Sequence, residues 1–473
     1  MFGTSPWHRV AGRWSVLALL LIAASTSVWA TPEPEVDTLR QDGALRHALF
    51  HGRVDGHLRL FTMGTVNRPG LSDHYAGAFG GSVGYHTARW HGWRLRLMAG
   101  SSLPLFASEL KHADDPDLMP SRYELGLFDA RGQQRHTYAY IQELHADYST
   151  RDQRWRTTLG RRSMDQPFLN GQDSRMHPTF FDGATVSYHP REDARFEVGW
   201  IHHISPRSTL FWYPVGRSIG TFPGQGYDTE GRPSAYGGQL TTAGIFTATA
   251  EWKALPGTTV TLHDLLVEGI FNTTLLQLQH QGDGPWRYHL RAIRQDAVGD
   301  GGHTVDSLAY LPRGASSNTI TGRVELRAGP WSLRLNGTRI TAAGRFLMPR
   351  EWGREPLYTF LSRERNEGLG DVRATSASVL HEHPRIKGLR TEAAVGLYQL
   401  GSAADVALNK YRMVSYGHTV FDVRYAFHGG LKGMELRLLY VYKWPLERAA
   451  LTVAQVYNRV DMHHASIVLD HRF

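Results

Sequence analysis

The chain is 473 residues long and basic, with 52 Lys and Arg against 44 Asp and Glu, and it contains no cysteine. No disulfide framework or thiolate metal site is therefore possible, and the basic residues are dispersed rather than gathered into the stripe a nucleic-acid interface needs. Forty-nine glycines, 11% aromatic and only 41% hydrophobic residues, with no sustained 3.6-residue apolar pattern, favour strands over helices.

The first 30 residues read as a secretory signal peptide. Residues 1–13 carry Arg9 and Arg13 and no acid, residues 14–28 form a short apolar run, and Val28-Trp29-Ala30 ends in a small residue suited to cleavage. Residues 31–52 read as a periplasmic arm. No other segment is apolar over the roughly 20 residues that a spanning helix requires. Export without such a helix leaves a periplasmic protein or an outer-membrane barrel.

From residue 53 the signal is period two. Trp93-Arg94-Leu95-Arg96-Leu97, Trp286-Arg287-Tyr288-His289-Leu290-Arg291 and Trp331-Ser332-Leu333-Arg334-Leu335 alternate apolar with polar. Met434 to Trp444 does so with apolar residues at even positions and Glu435, Arg437 and Lys443 at odd ones. Eight tight turns rich in Gly, Pro and Asp punctuate the pattern, at 87–91, 150–153, 190–193, 255–257, 282–285, 329–330, 384–388 and 429–433. Between them lie strand pairs joined by longer polar connections. Eight turns divide 53–473 into nine hairpins, which predicts an all-β fold: a transmembrane antiparallel β-barrel of about 18 strands, with short periplasmic turns and long extracellular loops. The chain ends on an alternating strand at Phe473, the form of the signal read by the outer-membrane barrel assembly machinery. Tyr440, Tyr442 and Trp444 lie where an aromatic girdle belongs.

A charge facing lipid costs about 2 to 4 kcal/mol at mid-membrane, and a fold is stable by only about 5 to 15 kcal/mol. With 46 arginines and six lysines in the chain, the arginine parity must face the lumen. This places Arg59, Arg94, Arg96, Arg156, Arg162, Arg287, Arg291, Arg323, Arg327, Arg334, Arg424 and Arg437 on the inner wall. Glu143, Asp147, Glu197, Glu325, Asp422 and Glu435 join them. An eighteen-stranded barrel is too wide for strand side chains to fill, so a water-filled lumen is expected. Guanidinium groups along it would hand a carboxylate from one weak site to the next.

A wide pore needs a constriction to select. The third long connection, 161–182, contains Pro167, Gly171 and Pro178 and starts beside luminal Arg162. Leu159-Gly160-Arg161-Arg162-Ser163-Met164-Asp165-Gln166-Pro167, Asn170 to Pro178 and Phe180-Phe181-Asp182-Gly183 resemble the third-loop signature of the OprD family of outer-membrane porins. Val54 to Leu60 resembles that family's first strand. Trp352 to Tyr358 and Arg363 to Asp371 resemble its seventh loop. The resemblance implies an eighteen-stranded barrel, monomeric or weakly trimeric, embedded in outer-membrane lipid. Loops three and seven would narrow the pore, and a basic ladder would guide small, often carboxylated solutes. It places Ser174 and Arg175 at the constriction, with Asp165, Arg363, Glu364 and Arg365 along the path. Asp173 stands where some members have Gly and would pair with Arg175. His177 replaces a hydrophobic residue, which implies a more polar or pH-sensing eyelet.

Other chemistries find no support. His202-His203 and His463-His464 are adjacent and so expected to point to opposite faces of a strand. His381 and His383 share a face without a third ligand. There is no Gly-x-Ser-x-Gly or other nucleophile signature, and residues 31–52 are too short for the plug of a gated transporter. Neither an enzyme, a metal nor a cofactor is expected. The function expected is passive diffusion of amino acids and small organic acids. A general, weakly selective porin and a plugged structural or adhesive barrel are the alternatives.

Overall fold

The computed structural model describes residues 45–110, 121, 123–129, 137–171, 175–447 and 450–473. The expected signal peptide, most of the arm, and Asp173 and Ser174 lie outside the described residues. The described part of the arm forms a short helix, α1 (Leu45–Phe50). Eighteen long strands follow. The first nine are β1 (Arg53–Val66), β2 (His74–His86), β3 (Trp93–Ala107), β4 (Tyr138–Ser149), β5 (Trp155–Arg162), β6 (Phe180–Arg191), β7 (Ala194–Ser205), β8 (Ile245–Leu255) and β9 (Thr258–Val267). The rest are β10 (Phe271–Gln281), β11 (Trp286–Ala297), β12 (Ser316–Ala328), β13 (Trp331–Ile340), β14 (Val372–Glu382), β15 (Leu389–Gln399), β16 (Tyr416–Ala426), β17 (Met434–Pro445) and β18 (Met462–Arg472). A two-residue bridge, Tyr213–Pro214, extends the end of β7.

Each strand pairs antiparallel with its successor, and β18 pairs with β1 from His57↔Arg472 to Val66↔His463. The sheet is thus a closed barrel without a free edge, the form in which a sheet satisfies its backbone groups in a bilayer. All eight predicted tight turns are present within two residues of their expected places. On the other rim lie L1 (67–73), L2 (108–137), L3 (163–179), L4 (206–244), L5 (268–270), L6 (298–315), L7 (341–371), L8 (400–415) and L9 (446–461). L5 departs from the expected long-loop pattern. It is a three-residue turn closed by Ile270 N–H donating to Val267 O at 3.0 Å, and it turns through Gly269 at φ 72°.

The expected parity holds around the wall. Leu95, Leu97, Val198, Leu335, Val395, Phe421 and Ile467 are exposed on the outside, an apolar belt that only lipid would cover. Stacked rings mark its edges: Trp155 with Tyr188 and Trp331 with His381 at the short-turn end, Tyr442 with Trp444 at the loop end. Outward arginines occur only at the loop end among the described strands that carry them, and two of them have a carboxylate beside them. Arg294 pairs with Asp296 at 2.5 Å, and Arg339 with Asp371 at 2.6 Å. Arg161 also faces outward. It is buried, covered by the Trp212 ring, and donates to Ile141 O at 2.5 Å. The paired histidines depart from expectation at one place. A bulge at Asp182/Gly183 brings His202 and His203 together, with Nδ1 atoms 2.5 Å apart, because the extra residue breaks the alternation.

The lumen also departs from expectation. Its loop-side half is not open water. Phe168 and Leu169 of L3, Ile219 of L4, Leu311 of L6 and Phe346 and Trp352 of L7 pack into one buried apolar cluster with Ile204, Leu275 and Tyr398 of the wall. The strands cannot fill so wide a cylinder, so the loops carry a core of their own into it.

The seam is completed by the chain end. Gly56 and Phe473 exchange backbone hydrogen bonds of 2.9 and 3.1 Å. A Cβ on Gly56 would lie 2.5 Å from the Phe473 ring. Gly56→Val should displace the terminal ring at a cost of about 1 to 3 kcal/mol. The expected readout is a lower temperature for the folded-to-unfolded gel shift of the detergent-solubilised barrel; an unchanged temperature would show that the ring does not stabilise the seam.

Candidate functional site: the luminal eyelet

L3 and L7 meet because one side chain serves both. Asn170 of L3 accepts the Arg354 N–H on Oδ1 at 2.9 Å and donates from Nδ2 to Arg354 O at 3.0 Å, while its own N–H donates to Trp352 O at 3.1 Å. Between these contacts lies Gly353, at φ 146°, where a Cβ would stand 2.6 Å from Asn170 Oδ1. Only glycine fits both demands. L4 is tied to the same place. Glu351 Oε1 accepts the Gly220 and Phe222 N–H groups at 3.1 and 3.0 Å, and Trp352 Nε1 donates to Ser218 Oγ at 2.7 Å.

What the loops leave open is a cavity of about 620 Å³ lined by L2, L3, L4, L7, L8, L9 and the wall of β1 and β15 to β18. Towards the short-turn end its charges are balanced in part. Arg59 grips Asp470 through Nε and Nη2 at 2.6 and 2.9 Å and donates from Nη1 to Arg175 O at 2.8 Å. One carboxylate, Asp422, serves both Arg437 at 2.6 Å and Arg424 at 3.1 Å. At the constriction Arg175, Arg207, Arg363 and Arg365 converge from L3, L4 and L7, with Phe222 and Phe360 among them. Arg207 lies over the Phe222 ring at 4.6 Å. Burial, then the guanidinium groups of Arg365 and Arg175, pull its pKa well below the usual arginine range. Three cations are thus crowded where an anion would relieve their repulsion. On the long-loop side Arg350 donates to Gly224 O at 2.7 Å and pairs with Glu367 at 3.5 Å, and Arg459 donates to Tyr411 O at 2.6 Å.

The expected site residues divide. Arg175, Arg363, Glu364 and Arg365 line the cavity, as do Arg59, Arg424 and Arg437 of the wall. Glu364 is largely used inside the protein, accepting from buried Lys443 at 2.7 Å. Arg162 donates to Thr185 Oγ1 at 2.6 Å and Asp165 is exposed, both away from the cavity. The remaining wall arginines belong to other parts of the inner surface. Arg96 engages Asp55 at 2.8 Å and also Glu143, Arg94 lies 3.5 Å from Asp147, and Arg334 holds Glu325 and Glu392 at 3.3 Å. Arg287 and Arg156 donate to Gln281 and Gln153 at 3.1 and 3.3 Å. Arg291 and Arg323 fasten L7, donating to Pro356 O at 2.6 Å and Tyr358 O at 3.4 Å, and both lie close to the Tyr358 ring, 4.4 and 5.0 Å from its centre. His177 does not sense pH at the eyelet. It is buried against Tyr140 and Phe180, and burial pushes its pKa down to about 3, so it stays neutral. Arg207, Arg350, Arg354 and Arg459 were not anticipated. They sit in loops, where period-two parity carries no information.

No family model matches the chain, and no curated protein matches it. Solved structures do. OpdK of Pseudomonas aeruginosa, crystallised with vanillate, superposes with a TM-score of 0.68 at 15% identity over 90% of this chain and 99% of that one. OccK9 (OpdG) of the same organism gives 0.70 at 17% identity, and OccAB2 of Acinetobacter baumannii 0.69 at 15%, each over 90% of this chain and 99% of the other. At these identities the likeness is one of fold: the chain is a closed antiparallel eighteen-stranded barrel of the OprD type. The matched proteins are outer-membrane porins, channels rather than enzymes.

Two expectations follow from the L3–L7 contact. Asn170→Ala removes the side-chain bonds between the loops, worth about 1 to 3 kcal/mol. It should increase current noise and unit conductance in planar bilayers while leaving the barrel's gel-shift temperature unchanged; wild-type noise would show that the loops are held otherwise. Glu355 of L7 is buried with Oε1 accepting the Asn366 N–H at 2.6 Å. Burial pushes its carboxyl up to about 7, against the opposing pull of Arg365. A raised folded-state value means that L7 is most firmly held at low pH and loosens as pH rises from about 4.5 to about 7. Brief closures should become more frequent over that range and level off above it, and Glu355→Gln should abolish the dependence.

Proposed function

We propose that this chain is an outer-membrane porin for passive diffusion of small carboxylate-bearing or zwitterionic solutes, such as amino acids and small organic acids. The observation that carries the reading is the convergence of Arg175, Arg207, Arg363 and Arg365 on one cavity inside a closed barrel, with further arginines on both sides. A guanidinium presents a planar fork that matches a carboxylate. The wall acids, Asp422 and Asp470, compete for the flanking arginines and keep each contact weak enough to release the solute. Phe222 and Phe360 offer apolar surface for the rest of a solute. The crystallisation of a protein of this fold with vanillate, an aromatic carboxylate, agrees with that pairing of charge and ring.

The surrounding assignments belong to the same reading. Residues 1–30 direct export and are removed after Ala30, residues 31–52 lie in the periplasm, and the strand ending at Phe473 presents the barrel to its assembly machinery. The barrel acts as a monomer or a weak trimer. Transport needs no cofactor and no energy source.

Liposome swelling across amino acids, dicarboxylates and neutral sugars tests the reading, together with reversal potentials in a salt gradient. Wild type should favour anions and swell fastest with carboxylated solutes. Arg207→Ala and Arg365→Ala should each lower the anion-to-cation permeability ratio by about two- to tenfold, the scale of one screened charge–charge contact. Equal rates for sugars and acids of the same size would favour a general porin, and absence of current steps would favour a plugged barrel.

A further inference from the structure

Arg363 occupies a left-handed backbone conformation, φ 79°, that a bulky residue does not adopt without support. The support comes from outside L7. Its carbonyl accepts the Tyr123 hydroxyl at 2.9 Å. Its Nε donates to His464 Nε2 at 3.0 Å and its Nη2 to Ser466 Oγ at 3.3 Å. His464 is on the inward face of β18 and is buried. Its other nitrogen, Nδ1, is 2.9 Å from Thr65 Oγ1 on β1. Thr65 Oγ1 in turn donates to Glu124 Oε1 at 2.6 Å. Glu124 is buried in L2, with Oε2 accepting from Ser121 Oγ at 2.7 Å.

These contacts admit one arrangement of protons. A threonine hydroxyl has a single hydrogen, and the Glu124 carboxylate takes it. Towards His464 the hydroxyl must then accept, so Nδ1 carries the imidazole proton and Nε2 presents its lone pair. That lone pair is what the Arg363 Nε–H meets. Glu124 remains a carboxylate. Burial raises its pKa, but hydrogen bonding on the side of His464, followed by bonds from Thr65 and Ser121, brings it down to about 2. A chain of hydrogen bonds therefore runs from a buried anion in L2, through two barrel strands that meet at the seam, to a cation at the eyelet in L7.

We propose that Glu124, Thr65 and His464 are positioning residues that set the tautomer of His464 and thereby aim the Arg363 guanidinium into the solute path. The proposal rests on the reading of Arg363 as an eyelet cation. Without the relay, Arg363 keeps its charge and its bond to Ser466 but loses the acceptor at Nε that fixes its direction, and selectivity falls while the barrel stays closed.

The test compares reversal potentials in a potassium chloride gradient for full-length Arg363→Ala, His464→Leu, His464→Gln and the double variant Arg363→Ala/His464→Leu, each checked for a folded gel shift. His464→Leu is expected to lower the anion-to-cation ratio roughly fivefold, the order set by one typical hydrogen bond, and to approach the Arg363→Ala value. His464→Gln restores most of it, because the amide oxygen accepts from Arg363 and the amide nitrogen donates to Thr65. The double variant should lie no lower than Arg363→Ala alone, as for residues acting in series. If His464→Leu does not assemble, Thr65→Val breaks the middle link at nearly constant shape and should shift the ratio in the same direction. Wild-type selectivity in His464→Leu or Thr65→Val, alongside a clear loss in Arg363→Ala, would overturn the relay alone. Wild-type selectivity in Arg363→Ala would overturn the eyelet role of Arg363 and the relay with it.

Discussion

Each strand of this barrel meets two solvents at once, and its side chains alternate between them because a β-strand has no other period. Leu95 and Leu97 face outward while Arg94 and Arg96 face inward, onto Asp147, Asp55 and Glu143. A slip of one residue would exchange the sets and place several charges in hydrocarbon, so the registers of the whole sheet are held by this one condition. Closure through β1 and β18 follows from the same setting, since an open edge has no water to satisfy it.

Closure at eighteen strands creates a second problem: the cylinder is wider than its own side chains can span. The loops resolve it by folding inward as a small apolar protein within the barrel, around Phe168, Phe346 and Trp352. Charge is then distributed by depth. In the wall most arginines have a carboxylate or a carbonyl at hand. At the constriction Arg175, Arg207 and Arg365 come from three different segments and crowd one another. Such crowding costs stability unless the surrounding structure imposes it, and Asn170, Glu351 and Trp352 supply that rigidity by tying L3, L4 and L7 together.

Much of this was legible in residue order. The eight short turns, the eighteen strands and the inward parity of Arg59, Arg291 and Arg437 follow from alternation and turn chemistry, whereas an inward third loop was expected from the need for a constriction and from the OprD-like residues 159–183. The misses share a cause. His202 and His203 meet because a bulge inserts a residue that alternation does not foresee. L5 is short because Gly269 allows a turn where a long loop was expected. His177 is polar by type yet buried by its neighbours.

The sequence by itself determined which face of each strand meets lipid and where each hairpin turns, because a period of two and the preferences of Gly, Pro and Asp are properties of a few consecutive residues. The resemblance pointed to Arg175, Arg363 and Arg365, and only the tertiary structure added Arg207 and brought the four to one cavity. Arg207 and Arg365 lie far apart along the chain, and the distance between their guanidinium groups depends on how L4 and L7 pack inside the barrel. The electrostatic character of the lumen is set by those through-space distances, which local residue order does not encode.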